Sequence, residues 1–144
     1  MSQGNIKFSE IDTSVKNNQG QNILHFACIN EKTSLLKLLL TTFKPDEIYI
    51  NDQNQTCFHF VCIVGNISFL ESLLTIFKPN KFDINAKDNN GQTGFHLACI
   101  SGNVSFMKFL LTNFNQDVID FNAKDNQGQG GIQLACKHRH FSII

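Results

Sequence analysis

Apolar and polar positions along this 144-residue chain fall into a pattern that recurs down its length. A compact apolar segment comes first, then a break, a second apolar segment and a turn-rich stretch. The first segments are Asn22-Ile-Leu-His25-Phe-Ala-Cys-Ile29, Thr56-Cys-Phe-His59-Phe-Val-Cys-Ile63 and Thr93-Gly-Phe-His96-Leu-Ala-Cys-Ile100. Gly130-Gly-Ile-Gln133-Leu-Ala-Cys-Lys137 is a fourth copy. The second segments end in Leu39-Leu40, Leu73-Leu74 and Leu110-Leu111, each pair followed by Phe43, Phe77 or Phe114. His25 to His59 is 34 residues, and His59 to His96 and His96 to Gln133 are 37 each. A fixed period of this size marks a repeat architecture.

Each unit reads as two short helices. In the third, Thr93–Ile100 is the first helix, and Gly102 ends it by tolerating a left-handed turn. Asn103 caps a second helix over Ser105–Leu111. Gly65-Asn66 repeats that device, and Pro45 and Pro79 stop the second helices. The turn-rich stretch from Asp117 to Gly128 fits an extended hairpin leading into the next helix. Phe26, Phe60, Leu97 and Leu134 read as core between units, and Phe43, Phe77 and Phe114 as caps on the second helices.

The pattern Asp-x-x-Gly-x-Thr-x-x-His-x-Ala-Cys, Gly-Asn, Leu-Leu resembles the ankyrin repeat. The third unit carries most of it, in Asp88, Gly91, Thr93, His96, Ala98, Gly102 and Leu110-Leu111, and the resemblance spans about residues 11–144. It implies an all-α solenoid of stacked helix-turn-helix units joined by β-hairpin loops. The repeats fall at about 16–50, 51–86, 87–123 and 124–144, the last truncated, with 1–15 as a partial N-terminal cap. The chain departs from the family pattern in places. Ile23, Cys57, Gly94 and Gly131 stand where the family has Pro, the second unit has Asn51 and Asn54 for Asp and Gly, and the fourth lacks Thr and His. The resemblance further implies that His25, His59 and His96, with Thr56 and Thr93, are structural, tying each hairpin to the next helix.

Composition narrows the function classes. Lys plus Arg and Asp plus Glu each total 12, so no net charge advertises a nucleic-acid or anionic-membrane partner. No apolar run reaches the roughly 20 residues of a membrane helix. Met1–Glu10 does not resemble a secretory leader, so the expected setting is cytoplasmic or nuclear, with the five cysteines as free thiols. The Asn-x-Ser/Thr triplets at Asn54, Asn66 and Asn103 then stay unmodified.

Several motifs invite a chemical reading. The pairs His25/Cys28, His59/Cys62 and His96/Cys99 supply two ligands each, whereas zinc needs three or four. Helices ~8–10 Å apart keep successive pairs from sharing one ion, and small apolar Cys suits close helix packing. No nucleophile or carboxylate recurs beside the histidines, as general-base chemistry would require. Cys136-Lys-His138-Arg-His140 reads as a polar terminal helix, and Gly128-Gln-Gly130-Gly131 lacks the Lys-Ser/Thr of a phosphate loop. Neither a cofactor nor a resident metal is expected.

Stacks of this kind engage partners, as the resemblance implies, through hairpin tips and the exposed face of the first helices. That surface uses Gln53, Gln55, Asn89, Asn90 and Gln92, neutral donors and acceptors. Ile29, Ile63 and Ile100, each four residues after the repeat His, share its helix face and make an apolar ladder flanked by amides. Such a ladder is either a binding patch with a polar rim or packing under the hairpins. Three functional readings stand at this point. One is a non-enzymatic module that binds another protein, and self-association through the C-terminal edge belongs with it. The second is a regulatory or targeting segment of a larger adaptor, inhibitor or channel. The third is a metal- or thiol-dependent protein using the His-x-x-Cys pairs.

Overall fold

The computed structural model describes residues 54–76 and 83–140 throughout, and before them 15–18, 20, 21, 23, 26, 27, 32, 34, 35 and 38. Five helices are bounded within these residues: α1 (Cys57–Val64), α2 (Ile67–Ile76), α3 (Gly94–Ser101), α4 (Val104–Asn113) and α5 (Gly131–Lys137). Ile23, Phe26 and Ala27, and then Ser34, Leu35 and Leu38, are also helical. The first helices of successive units form one layer, α1 on α3 and α3 on α5, while α1 and α2, and α3 and α4, pair within their units. Among the described residues no helix is long and apolar enough to cross a membrane.

Local chemistry sets the boundaries. Thr56 and Thr93 are N-caps rather than first helical residues, and each forms a capping box with the His three positions on. Gly65 (φ +71°) and Gly102 (φ +72°) close the first helices in the left-handed region. Asn66 Oδ1 then accepts from the Phe69 amide (3.2 Å), and Asn103 Oδ1 from the Phe106 amide (3.0 Å), which starts each second helix. Phe114 is the C-cap of α4. Leu39-Leu40, Phe43, Phe77, Pro45 and Pro79 lie outside the described residues.

The expected hairpin over Asp117–Gly128 is replaced by successive turns, and no strand occurs among the described residues. The reason is the tip chemistry. The Asp88 amide donates to the Gln92 carbonyl (2.9 Å), while Asp88 Oδ1 accepts from the amides of Asn90 (2.9 Å) and Gln92 (3.0 Å). Asp125 repeats this with Gln127 and Gln129. One carboxylate closes the tip, and further bonds run between units: Asn126 Nδ2 donates to the Asn89 carbonyl, and Asn85 Nδ2 to that of Val118.

The core is a continuous band between the layers. Phe58, Phe69, Leu70, Leu73, Phe106, Leu110 and Ile119 are fully buried, and each such side chain contributes about 1.5–3 kcal/mol. Phe60, Leu97 and Leu134 are buried as expected, but Phe26 is 53 % exposed. Leu134 is covered in the last unit and Phe26 is exposed in the first. This register is therefore covered from the side of the preceding unit in the second, third and fourth units.

The residues at the family's Pro position have a packing reason. A Cβ added to Gly94 would lie 2.5 Å from the Phe58 ring, and one on Gly131 would lie 2.6 Å from the Phe95 ring. The aromatic of one unit occupies the space that a side chain would need in the next. In the sequence, Leu24 is matched by Cys57, whereas Phe58 and Phe95 are matched by glycine. Phe95 also meets Phe121 edge-on, with ring centroids 4.9 Å apart.

Candidate functional site

The repeat histidines form the best-defined polar constellation, and its geometry is structural. His59 Nδ1 accepts from the Thr56 amide (3.0 Å), which puts the ring proton on Nε2, and Nε2 donates to the Gln92 carbonyl (2.8 Å). His96 does the same with the Thr93 amide (3.1 Å) and the Gln129 carbonyl (3.1 Å). Each neutral imidazole thus uses its one acceptor and one donor to clamp its own helix start to the next unit. Burial lowers the His59 pKa, against the opposing pull of the Gln92 carbonyl. With both nitrogens engaged, neither ring is placed to take a proton from a substrate. His25 lies outside the described residues.

The cysteines read the same way. Cys57, Cys62 and Cys99 are buried and free, and Cys136 is free and exposed. Desolvation raises the Cys62 pKa well above its ordinary value and pushes Cys99 up to about 12, so both are thiols rather than reactive thiolates. Among the described residues no three His, Cys, Asp or Glu side chains converge. The terminal Cys/His motif does not form one helical face, because α5 ends at Lys137 and Arg139 turns left-handed (φ +63°). His140 then packs over Gly102 and donates from Nε2 to the Ile100 carbonyl (2.8 Å). Gly131, the end of the glycine-rich stretch, is buried against Phe95.

The ladder residues separate. Ile63 is 42 % exposed. Ile100 is half-buried and packs against the core edge. Ile29 lies outside the described residues, as does Gln53. Asn89 and Asn90 are exposed at the tip of the third unit, with Gln92 half-buried beneath them. Gln55 is misplaced in the expected surface: it is 8 % exposed, and its Nε2 donates to Asp88 Oδ2 (3.1 Å). Its amide braces two tips against each other instead of facing outward.

Between the third and fourth units these elements enclose a recess of about 190 Å³, floored by Ile100 and Leu134 and rimmed by Asn90, Gln92, Asp125, Asn126, Gln127, Gln129, Lys137 and His138. Small-molecule sites usually span ~300–1,000 Å³, so this space suits one side chain of a partner better than a cofactor. Partial desolvation of Asp125 favours its neutral form. The Gln129 and Gln127 amides and the Gln92 side chain outweigh that and hold its pKa below the usual carboxylate value. Lys137 and His138 were not singled out as binding residues, although their signal was present. Lys137 stands 37 positions after Ile100, in the ladder register, with a charge in place of the apolar side chain.

The family model for ankyrin repeats, in three copies, matches residues 5–88 and 58–144. The chain belongs to the ankyrin-repeat family, whose repeats generally serve as protein–protein interaction modules and are typically non-catalytic. No curated protein matches it at a significant level.

Proposed function

We propose that this domain binds a partner protein through the surface formed by its first helices and loop tips, and that it catalyses no reaction. The observation that carries the reading is the recess beside the ladder. Apolar Ile100 and Leu134 form its floor, neutral amides from two successive tips share its rim with Asp125, Lys137 and His138, and Ile63 lies exposed one unit away. An apolar centre ringed by polar side chains is the composition of a recognition surface. The chemically suggestive side chains are meanwhile committed to the fold. The setting consistent with free buried thiols is a reducing one, cytoplasmic or nuclear.

The test is a pull-down from the source cell with wild type, Ile63→Glu and Leu111→Glu. Leu111 is 53 % exposed on a second helix, away from the proposed surface. A partner held by wild type and Leu111→Glu and lost by Ile63→Glu supports the reading. A partner retained by Ile63→Glu and lost by Leu111→Glu places recognition on the outer face and overturns it.

A further inference from the structure

The joint between the second and third units and the joint between the third and fourth follow one plan at their tips. Asp88 Oδ1 accepts from the Asn90 and Gln92 amides, and its Oδ2 from the Gln55 side chain. Asp125 Oδ1 accepts from the Gln127 and Gln129 amides, and the Gln92 side chain bonds to the same carboxylate. Both carboxylates are thus committed to closing and bracing the tips.

The joints differ at the ends of their first helices. Lys137 and His138 stand 37 positions after Ile100 and Ser101. Ile100 is apolar, and the Ser101 hydroxyl donates to the Ala98 carbonyl of its own helix (2.9 Å). Lys137 and His138 are instead exposed, on the rim of the recess floored by Ile100 and Leu134. No hydrogen bond or ion pair engages the Lys137 ammonium among the described residues. The His138 ring lies parallel to that of His140, with centroids 6.2 Å apart, and His140 is itself held by the Ile100 carbonyl. A neutral imidazole carries one N–H in either tautomer, so His138 adds a donor beside the ammonium. A cation in the last turn of a helix suits its dipole, but α1 and α3 end without one, so the stack does not require it.

The recess therefore has an apolar floor, a carboxylate already engaged on one side and uncommitted positive charge on the other. A cationic side chain entering it would meet Lys137 and a carboxylate whose oxygens are occupied. A side chain with a short aliphatic stem and an anionic head finds both its partners.

We propose that the recess receives a glutamate side chain of the partner protein, with its methylenes on Ile100 and Leu134 and its carboxylate on Lys137 and His138. The proposal rests on the partner-binding reading above and supplies the chemistry of the occupant. It also sets a spacing. Lys137 lies two units beyond exposed Ile63, and neighbouring helices pack ~8–10 Å apart. An extended segment advances ~3.3 Å per residue. A segment crossing the first-helix layer then places an apolar residue on Ile63 about five or six positions from the glutamate.

The test is selection of displayed random peptides, roughly 12 residues long so as to span both positions, on the full chain. Lys137→Glu and Ile63→Glu, both at exposed positions, are carried in parallel after circular dichroism confirms folding. Wild type should enrich peptides with a glutamate about five or six positions from an aliphatic residue. A synthetic consensus peptide should bind Lys137→Glu at least ~10-fold more weakly than wild type, and changing its glutamate to glutamine should weaken binding to wild type as well. Enriched peptides with no acidic preference, still lost by Ile63→Glu, overturn the glutamate and leave the partner surface standing. Acidic peptides lost by Lys137→Glu and kept by Ile63→Glu support the glutamate and remove Ile63 from the surface. A wild type that enriches nothing, or a Lys137→Glu that binds the consensus peptide as tightly as wild type, overturns the proposal.

Discussion

The third and fourth units share a backbone but not the means of holding it. In the third, Thr93 and His96 form a full capping box, Gly102 supplies the left-handed close, and the His96 ring reaches the next unit. In the fourth, Gly130 has no side chain to offer, and only the Gln133 half of the box remains. Arg139 adopts the left-handed turn at φ +63° that Gly65 and Gly102 take freely. His140 stands in the register of Asn103: Asn103 Nδ2 donates to the Gly65 carbonyl (3.2 Å), and His140 Nε2 to that of Ile100. The difference teaches that stacking on a neighbour imposes the fold of a unit, and that the motif residues set how firmly it is held.

The largest expected contrast is between His96→Ala and Gln133→Ala. The first removes a buried ring from the Thr93 cap and leaves the Gln129 carbonyl without its donor, at about 2–4 kcal/mol. The second removes one exposed half-cap, at about 1 kcal/mol or less. Urea titrations of the two variants measure the gap directly. The packing between units gives the next effect. Gly94→Ala should cost about 1–3 kcal/mol by overpacking against Phe58. The same change in a Phe58→Leu background should cost less, so that a double-mutant cycle shows coupling of at least ~0.5 kcal/mol.

Arg139→Gly sharpens the comparison with the opposite sign. Relief of a non-glycine left-handed residue should stabilise the fourth unit by about 0.5–1 kcal/mol, read as a rise in thermal midpoint. The smallest effect is titration of His59. Its folded pKa lies below the unfolded value of about 6.5, so the unfolded chain binds more protons as pH falls through that range. Stability should therefore decline from pH 7.5 to 5.5, and His59→Gln should flatten the slope.

Much of this architecture was legible in the sequence. The spacing of His59, His96 and Gln133 placed the first helices, and Gly65-Asn66 and Gly102-Asn103 placed their ends, because a helix stop and an N-cap are local chemistry. Cys62 and Cys99 were legible as packing residues, but Cys136 in the same register is exposed, and Cys28 lies outside the described residues. What escaped the sequence depends on partners 33 or 36 residues away. Gln55 looks like a tip amide until Asp88 is beside it, and Phe26 looks like core until the stack shows that its register is covered from the preceding side. Gly94 and Gly131 looked like departures from the family pattern, and only contact with Phe58 and Phe95 shows them to be compensations. In the candidate site, Ile63, Asn89 and Asn90 were legible as surface. The half-burial of Ile100 and the contribution of Lys137 and His138 were not, since both follow from how two units meet.

Native-state hydrogen exchange on dilute protein tests most directly the claim that contacts between units, graded by the motif residues, hold this stack. The amides of Gly94–Ser101 are predicted to exchange only through unfolding of the whole domain, and those of Gly131–Lys137 through a separate opening of lower free energy. Equal protection of the two helices, or greater protection of Gly131–Lys137, would contradict the account.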